Sequence, residues 1–153
     1  IARVNFFGWS LSGTRSLAEF FYHNLKSKIP IKGFVDIHFC PLYISHLSEL
    51  LLDMVKMDLS GIYHVVSSDQ KTKYEFGCAI AEQFGFDQAL ISPISVTQSN
   101  LQAERSLNLT LSTNKLSKAL HRSLPTSQDG IKKFYDDFQN GYAQRIRDYS
   151  IDN

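Results

Sequence analysis

Short β-rich runs alternate with amphipathic stretches along this chain, and that alternation constrains the fold more than any composition figure. Residues 2–7 run Ala-Arg-Val-Asn-Phe-Phe and end at Gly8. Residues 33–40 are dominated by Phe34, Val35, Ile37 and Phe39, and Gly61-Ile62-Tyr63-His64-Val65-Val66 opens on a glycine. Each run is short, β-branched or aromatic and bounded by Gly or Pro, which reads as a buried strand. Between them, residues 16–28 place Leu17, Phe20, Phe21 and Leu25 on one helical face before Pro30. Residues 45–57 carry the helix-forming run His46-Leu47-Ser48-Glu49-Leu50-Leu51-Leu52. Strands separated by helices predict parallel βαβ connections. Three parallel strands alone leave faces and edges uncovered, and the first strand has no polar lead-in. Both features predict a sheet larger than this chain, and so a fragment of a longer protein.

The second half reads as mostly helical. A helix is expected over residues 71–84, closed by Gly85 in the left-handed position past the helix end. A Pro- and Ser-containing connection follows over residues 92–100, then a short extended piece at 109–111. Ser112 or Thr113 is placed to cap a small helix carrying Leu116 and Leu120. The last helix is expected over residues 127–149, with Ile131, Phe134, Phe138 and Tyr142 on one stripe.

Composition removes several function classes. With 153 residues and 43% hydrophobic content, the chain suffices for one compact domain. Its 16 basic and 15 acidic residues are interspersed, so the basic stripe of a nucleic-acid binder is missing. No apolar run approaches the roughly 20 residues of a membrane span, and no secretion-signal pattern opens the chain. These features predict a cytoplasmic protein that binds neither membrane nor nucleic acid. Cys40 and Cys78 stand far apart without a Cys-x-x-Cys pair and read as reduced core thiols, with a single disulfide left open. The histidines fall at no metal-ligand spacing; His38, His46 and His64 read as structural.

Three patterns carry candidate chemistry. Gly8-Trp9-Ser10-Leu11-Ser12-Gly13-Thr14-Arg15 follows a strand and precedes a helix, where a phosphate loop sits, yet Thr14 occupies the place of the required Lys. A surface loop is the better reading, with Arg15 and free helix-start amides available to an anion. Tyr22-His23-Asn24-Leu25-Lys26 has the Tyr-x-x-x-Lys spacing of a proton-transfer pair, but no glycine-rich cofactor turn precedes it, and it is read as an ordinary helix pair. Arg105 is an isolated cation within the nearly uncharged residues 100–110. It has two readings of equal standing: a fork that grips a diphosphate, or a surface arginine paired with Glu104.

Four landmarks, in order and with matching gaps, carry a resemblance over nearly the whole chain. Arg3-Val4-Asn5-Phe6-Phe7-Gly8 resembles the Arg-Thr-Asn-x-Tyr-Gly strand end of extended short-chain dehydrogenases. Phe39-Cys40-Pro41-Leu42-Tyr43-Ile44 with Leu47-Ser48-Glu49-Leu50 is similar to that family's x-x-Pro-x-x-Val and Asp-Leu-Ala segment. Gly61-Ile62-Tyr63-His64-Val65-Val66 and Lys73-Tyr74-Glu75-Phe76-Gly77 resemble its Gly-x-Tyr-His and Ser-x-Tyr-Glu-Phe stretch. The run from Arg105 through Asn108, Leu111 and Lys115 to Leu116 resembles the Arg-Pro…Leu-x-x-x-Lys-Leu close. Together they resemble the substrate-binding part of dTDP-4-dehydrorhamnose reductase-like nucleotide-sugar reductases and epimerases. Phe7 stands in place of the family's tyrosine and Ser106 in place of the proline after the arginine; Lys73 precedes Tyr74 where a serine is common slightly earlier.

The resemblance implies an α/β fold made of the last strands and helices of a Rossmann-like parallel sheet plus a small mixed substrate-binding subdomain. Residues 1–66 would complete the sheet together with a substrate-side helix, and residues 67–153 would form the mostly helical subdomain. It further implies that the cofactor turn and catalytic Tyr-x-x-x-Lys belong to a preceding Rossmann domain. NAD or NADP would then serve the parent protein, and none is expected for this piece alone. Asn5 and Phe6 would face the sugar at the strand end. Trp9 and Arg15 would meet a base or phosphate, Phe39 and Pro41 would shape the cleft near the nicotinamide, and Arg105 would meet the diphosphate. Implied partners are a nucleotide-sugar substrate and the Rossmann domain, with a homodimer left open. The rival reading is a non-catalytic, reductase-like regulatory or binding subunit.

Overall fold

The computed structural model describes residues 1–99 and 106–151. The opening extended run forms β1 (Ala2–Val4) and β2 (Phe6–Phe7), which part company at Asn5. The chain then continues through α1 (Leu17–Lys26), β3 (Ile31–Phe34), β4 (His38–Phe39), β5 (Leu42–Tyr43), α2 (Ile44–Lys56) and β6 (Tyr63–Val65). The second half contains β7 (Lys71–Thr72), α3 (Lys73–Phe84), β8 (Ile91–Ile94), β9 (Asn108–Leu109), α4 (Asn114–Ala119), α5 (Ser127–Gln139) and α6 (Tyr142–Ile151).

Parallel pairing dominates, as the βαβ alternation predicts. β1 lies beside β6, β2 beside β5 and β3 beside β8, all parallel; β4 sits between antiparallel β7 and parallel β9. Asn5 is where the first run changes partner, its carbonyl accepting the Leu42 N–H at 2.9 Å. The helices begin where local chemistry allows. Ser16, Thr72 and Thr126 each accept from the N3 amide, while Glu19, Glu75 and Asp129 reach back to the cap amide. These reciprocal pairs satisfy two otherwise orphaned donors per helix. Gly85 closes α3 at φ +69°, a conformation that favours glycine.

Four expectations are corrected. Residues 33–40 are not one extended stretch: the chain turns at Asp36, whose carboxylate accepts the Ser95 hydroxyl and the Val96 N–H. That turn sends β3 and β4 to different sheets. Ile91–Ile94, expected within or beside a connection, is a strand, and Pro93 is tolerated because β8 has a ladder partner on one side only. The helix expected from residue 71 starts at Lys73, because Lys71 and Thr72 first pair with β4. The single last helix is two, broken at Gly141 with φ +70°.

Two apolar clusters hold these elements. The larger is aromatic, built from Phe7, Trp9, Phe21, Tyr22, Phe76 and Phe134. Its rings meet edge-on or stacked, with Phe7 and Phe76 centroids 5.0 Å apart and Trp9 lying 4.0 Å over Phe134, as their quadrupoles favour. Gly77 is required there, since a Cβ would lie 2.3 Å from the Phe21 ring. The smaller cluster is mainly aliphatic: Leu42, Leu47, Leu50, Val65, Leu116 and Leu120. No helix among the described residues is long and apolar enough to cross a membrane, and both cysteines are free.

Candidate functional site

One cleft lies where β2 hands over to α1. It encloses about 380 Å³ and is lined by Phe6, Trp9, Ser10, Arg15, Ser16 and Ile44, among others. Gly8 makes the close approach possible, because a Cβ there would sit 2.5 Å from the Ile44 Cγ2. Phe6 is 55% exposed, an unusual state for a phenylalanine one residue from a core strand position. Arg15 is exposed, and among the described residues its guanidinium has neither an ion-pair nor a hydrogen-bond partner. The cleft therefore combines an apolar wall with a free cation, while the Ser16 and Glu19 amides are already engaged in the capping box.

Its rim is held by a residue that the motif reading passed over. Glu19 is fully buried, with its carboxylate accepting the Ser10 N–H at 2.8 Å, the Ser10 hydroxyl at 2.7 Å and the Ser16 N–H at 3.1 Å. A buried carboxylate without such donors would cost several kcal/mol, on the order of its desolvation; here the donors come from the loop that shapes the cleft. The available signal was the Ser16-x-x-Glu19 spacing of a capping box.

The site residues expected from sequence separate into groups. Phe6, Trp9 and Arg15 come together on the cleft. Trp9 is only 7% exposed: its ring stacks on Phe134, meets Tyr22 edge-on, and donates its indole N–H to the Phe134 carbonyl at 3.0 Å. It is a fixed wall with its faces already engaged. Asn5 adjoins Phe6 half-buried, and its side-chain amide makes no hydrogen bond among the described residues. Phe39 and Pro41 are buried and do not line the cleft, Phe39 packing edge-on against Phe76 at 5.4 Å. Arg105 lies outside the described residues.

Other tempting groups are engaged elsewhere. Lys26 Nζ donates to the Tyr22 hydroxyl at 3.2 Å, but that ring is packed among Trp9, Phe84 and Phe138. The Tyr43 hydroxyl donates to Asp137 at 2.7 Å. Burial above all, then the Asp137 carboxylate, push its pKa well above the usual phenol range, so it stays neutral. Lys133 meets the same carboxylate at 3.0 Å. A ring nitrogen of His64 lies 3.1 Å from the Ser112 carbonyl, a structural contact. No cluster of three or more metal-type side chains exists among the described residues.

The model of one protein family, the RmlD substrate binding domain, matches residues 6–140, the segment that carries the cleft, both cores and α5. The chain belongs to this family. Its fold is that of the Rossmann-like nucleotide-sugar reductases. A dTDP-4-dehydrorhamnose reductase from Bacillus anthracis, solved in complex with NADP, superposes with a TM-score of 0.80 at 18% identity, over 90% of this chain and 48% of that one. A reductase of the same name from Clostridium acetobutylicum gives 0.79 at 17% identity, over 91% and 48%. A UDP-galactose 4-epimerase gives 0.65 at 19%, over 91% and 44%. The chain thus spans about half the length of these structural relatives. Among curated proteins, methionine adenosyltransferase 2 subunit beta of Danio rerio is 28% identical over 81 residues, which is 50% of this chain and 25% of that protein.

Proposed function

We propose that this RmlD-type domain is the substrate-binding portion of an NAD(P)-dependent nucleotide-sugar reductase or epimerase and is not catalytic alone. The observation that carries the reading is the pairing of exposed Phe6 with partnerless Arg15 across the β2–α1 cleft. In this reading the Arg15 guanidinium takes an oxyanion of the diphosphate. Phe6 lies along the sugar or base, and the Asn5 amide reaches a sugar hydroxyl. Trp9, Phe39 and Pro41 keep the wall rigid, and Arg105 is a second diphosphate contact carried by its motif alone.

NAD(P) supplies the hydride in such an enzyme. The residues of this chain do not form a cradle for it, since no glycine-rich dinucleotide turn occurs in the sequence, so no step is assigned to it here. A preceding Rossmann domain would pair with the free edge of β1 and cover Ile1 and Val4, both exposed. The cytoplasm is the compartment this reading implies, and a homodimer is compatible with it.

Calorimetric titration with thymidine diphosphate and uridine diphosphate tests the cleft. Arg15→Ala should weaken the tighter of the two by about 10-fold or more, the scale of a lost charge-assisted hydrogen bond. Equal affinity in the variant removes Arg15 from the site. One finding favours a second reading: the zebrafish relative is named as a subunit of another enzyme. A regulatory subunit predicts no hydride transfer from NADH or NADPH by the longest natural form of the protein, whereas the first reading predicts turnover with a 4-keto nucleotide sugar.

A further inference from the structure

A second cavity system lies between α6 and the later turns of α1, and it shares only Trp9 with the β2–α1 cleft. Arg147 is its centre. The guanidinium lies flat over Gly13, where a Cβ would come within 3.0 Å of Nε and 3.1 Å of Cζ and Nη2. Gly13, at φ +73°, therefore leaves room for this side chain. Among the described residues the Nε of Arg147 is buried without a hydrogen-bond partner, an arrangement that leaves a charged donor unsatisfied at real cost.

On one side of Arg147 is a cavity of about 210 Å³, whose polar lining is Tyr22, His23, Lys26, Gln144 and Arg147. It has two cations and no carboxylate in its wall. On the other side is a cavity of about 370 Å³, where Phe20, Asn24, Ser12 and Thr14 join His23 and Arg147. Glu19 also lines this larger space, but its oxygens accept from Ser10 and Ser16 and it forms no ion pair with Arg147. The Tyr22–Lys26 pair, which the cleft leaves unused, contributes its ammonium here with Nζ 3.2 Å from the hydroxyl.

We propose that the α1–α6 junction binds an organic phosphate monoester, with the phosphate between Lys26 and Arg147 and the organic part along Phe20. A planar fork with an unmet donor suits two phosphate oxygens, and a lysine supplies a point charge to a third. The smaller cavity fits the anion, and the larger has the apolar wall and hydrogen-bonding rim that an attached ring or chain needs.

The test is an NMR titration of the 153-residue chain with inorganic phosphate and with phenyl phosphate at constant ionic strength, following the Arg147 side-chain Nε–H signal. Saturable shifts are expected, with phenyl phosphate at least about three-fold tighter and Lys26→Met weakening both about ten-fold. Lys26 is exposed, so this variant leaves the fold intact, and its amide spectrum verifies that. Lys118→Met, which removes an exposed cation of α4 remote from this junction, should bind both ligands as the parent chain does. Non-saturating shifts, undiminished binding in Lys26→Met, or loss of binding in Lys118→Met would each overturn the site. Equal affinity for the two ligands would overturn the role given to Phe20.

Discussion

The two apolar cores of this domain are built by different physics, and only one of them contributes buried core residues to the cleft wall. Around Phe7, Trp9, Phe76 and Phe134 the contacts are directional, with defined ring angles and an indole hydrogen bond to a backbone carbonyl. Around Leu42, Leu50, Val65 and Leu116 the packing is aliphatic and held by shape alone. The aromatic core ends at solvent in the cleft, where a fixed wall favours a preorganised site. The elements that carry the aliphatic core also expose apolar residues, Leu52 and Val55 on α2 and Val4 on β1 with the adjoining Ile1. The lesson is a division of labour: directional packing shapes the wall of the cleft, and shape packing supports the elements that carry exposed apolar residues.

The comparison breaks first at Phe134. Phe134→Ala should lose about 3–5 kcal/mol in urea denaturation, and because Trp9 loses its stacking partner, nucleotide affinity should fall with it. Leu50→Ala, in the other core, should cost about 2–5 kcal/mol and leave affinity unchanged in the fraction that stays folded. If both variants perturb binding equally, the division between the cores is wrong. Glu19→Gln should lose about 1–3 kcal/mol by weakening buried charge-assisted hydrogen bonds, and loop amides 10–16 should then exchange faster with deuterium. Unchanged exchange would show that Glu19 does not set the rim.

The smallest effect is in pH. The Glu75 carboxyl sits below its ordinary value of 4.5 because the Thr72 backbone amide, then the Thr72 hydroxyl, hydrogen-bond the charged form. Asp129 sits below 3.8 through the Thr126 hydroxyl, then its amide. Both folded values are depressed, so their stabilisation is present above the unfolded pKa and fades as pH falls from about 4.5 through the lower folded values. Glu75→Gln should flatten the stability–pH slope below pH 4.5 and leave it unaltered near neutrality.

Much of this architecture could be read along the chain because its causes are local. The apolar spacing of Leu17, Phe21 and Leu25 marks α1, the β-branched run near Val65 marks β6, and Gly85 ends α3. Ordered motif residues such as Asn5, Pro41 and Tyr63 were enough to indicate the family. The break at Gly141 is masked in the sequence by a helix stripe that continues through Tyr142, and the strand through Pro93 depends on a distant partner, β3, pairing with β8 on one side only.

Within the site, residue type announced Phe6 and Arg15, which share the cleft. Trp9 looked equally free in sequence, yet its environment is set by Phe134, 125 positions away. Glu19 looked like an ordinary helix-start acid until the fold closed Ser10 over it. Arg147 drew no notice, having no motif around it; its meaning comes from Gly13 and Lys26 lying beside it in space. Periodicity, caps and turn residues act within a few positions and are therefore written in the chain. Burial, an unmet hydrogen bond and the company a charge keeps depend on which remote segments meet, and folding alone sets those.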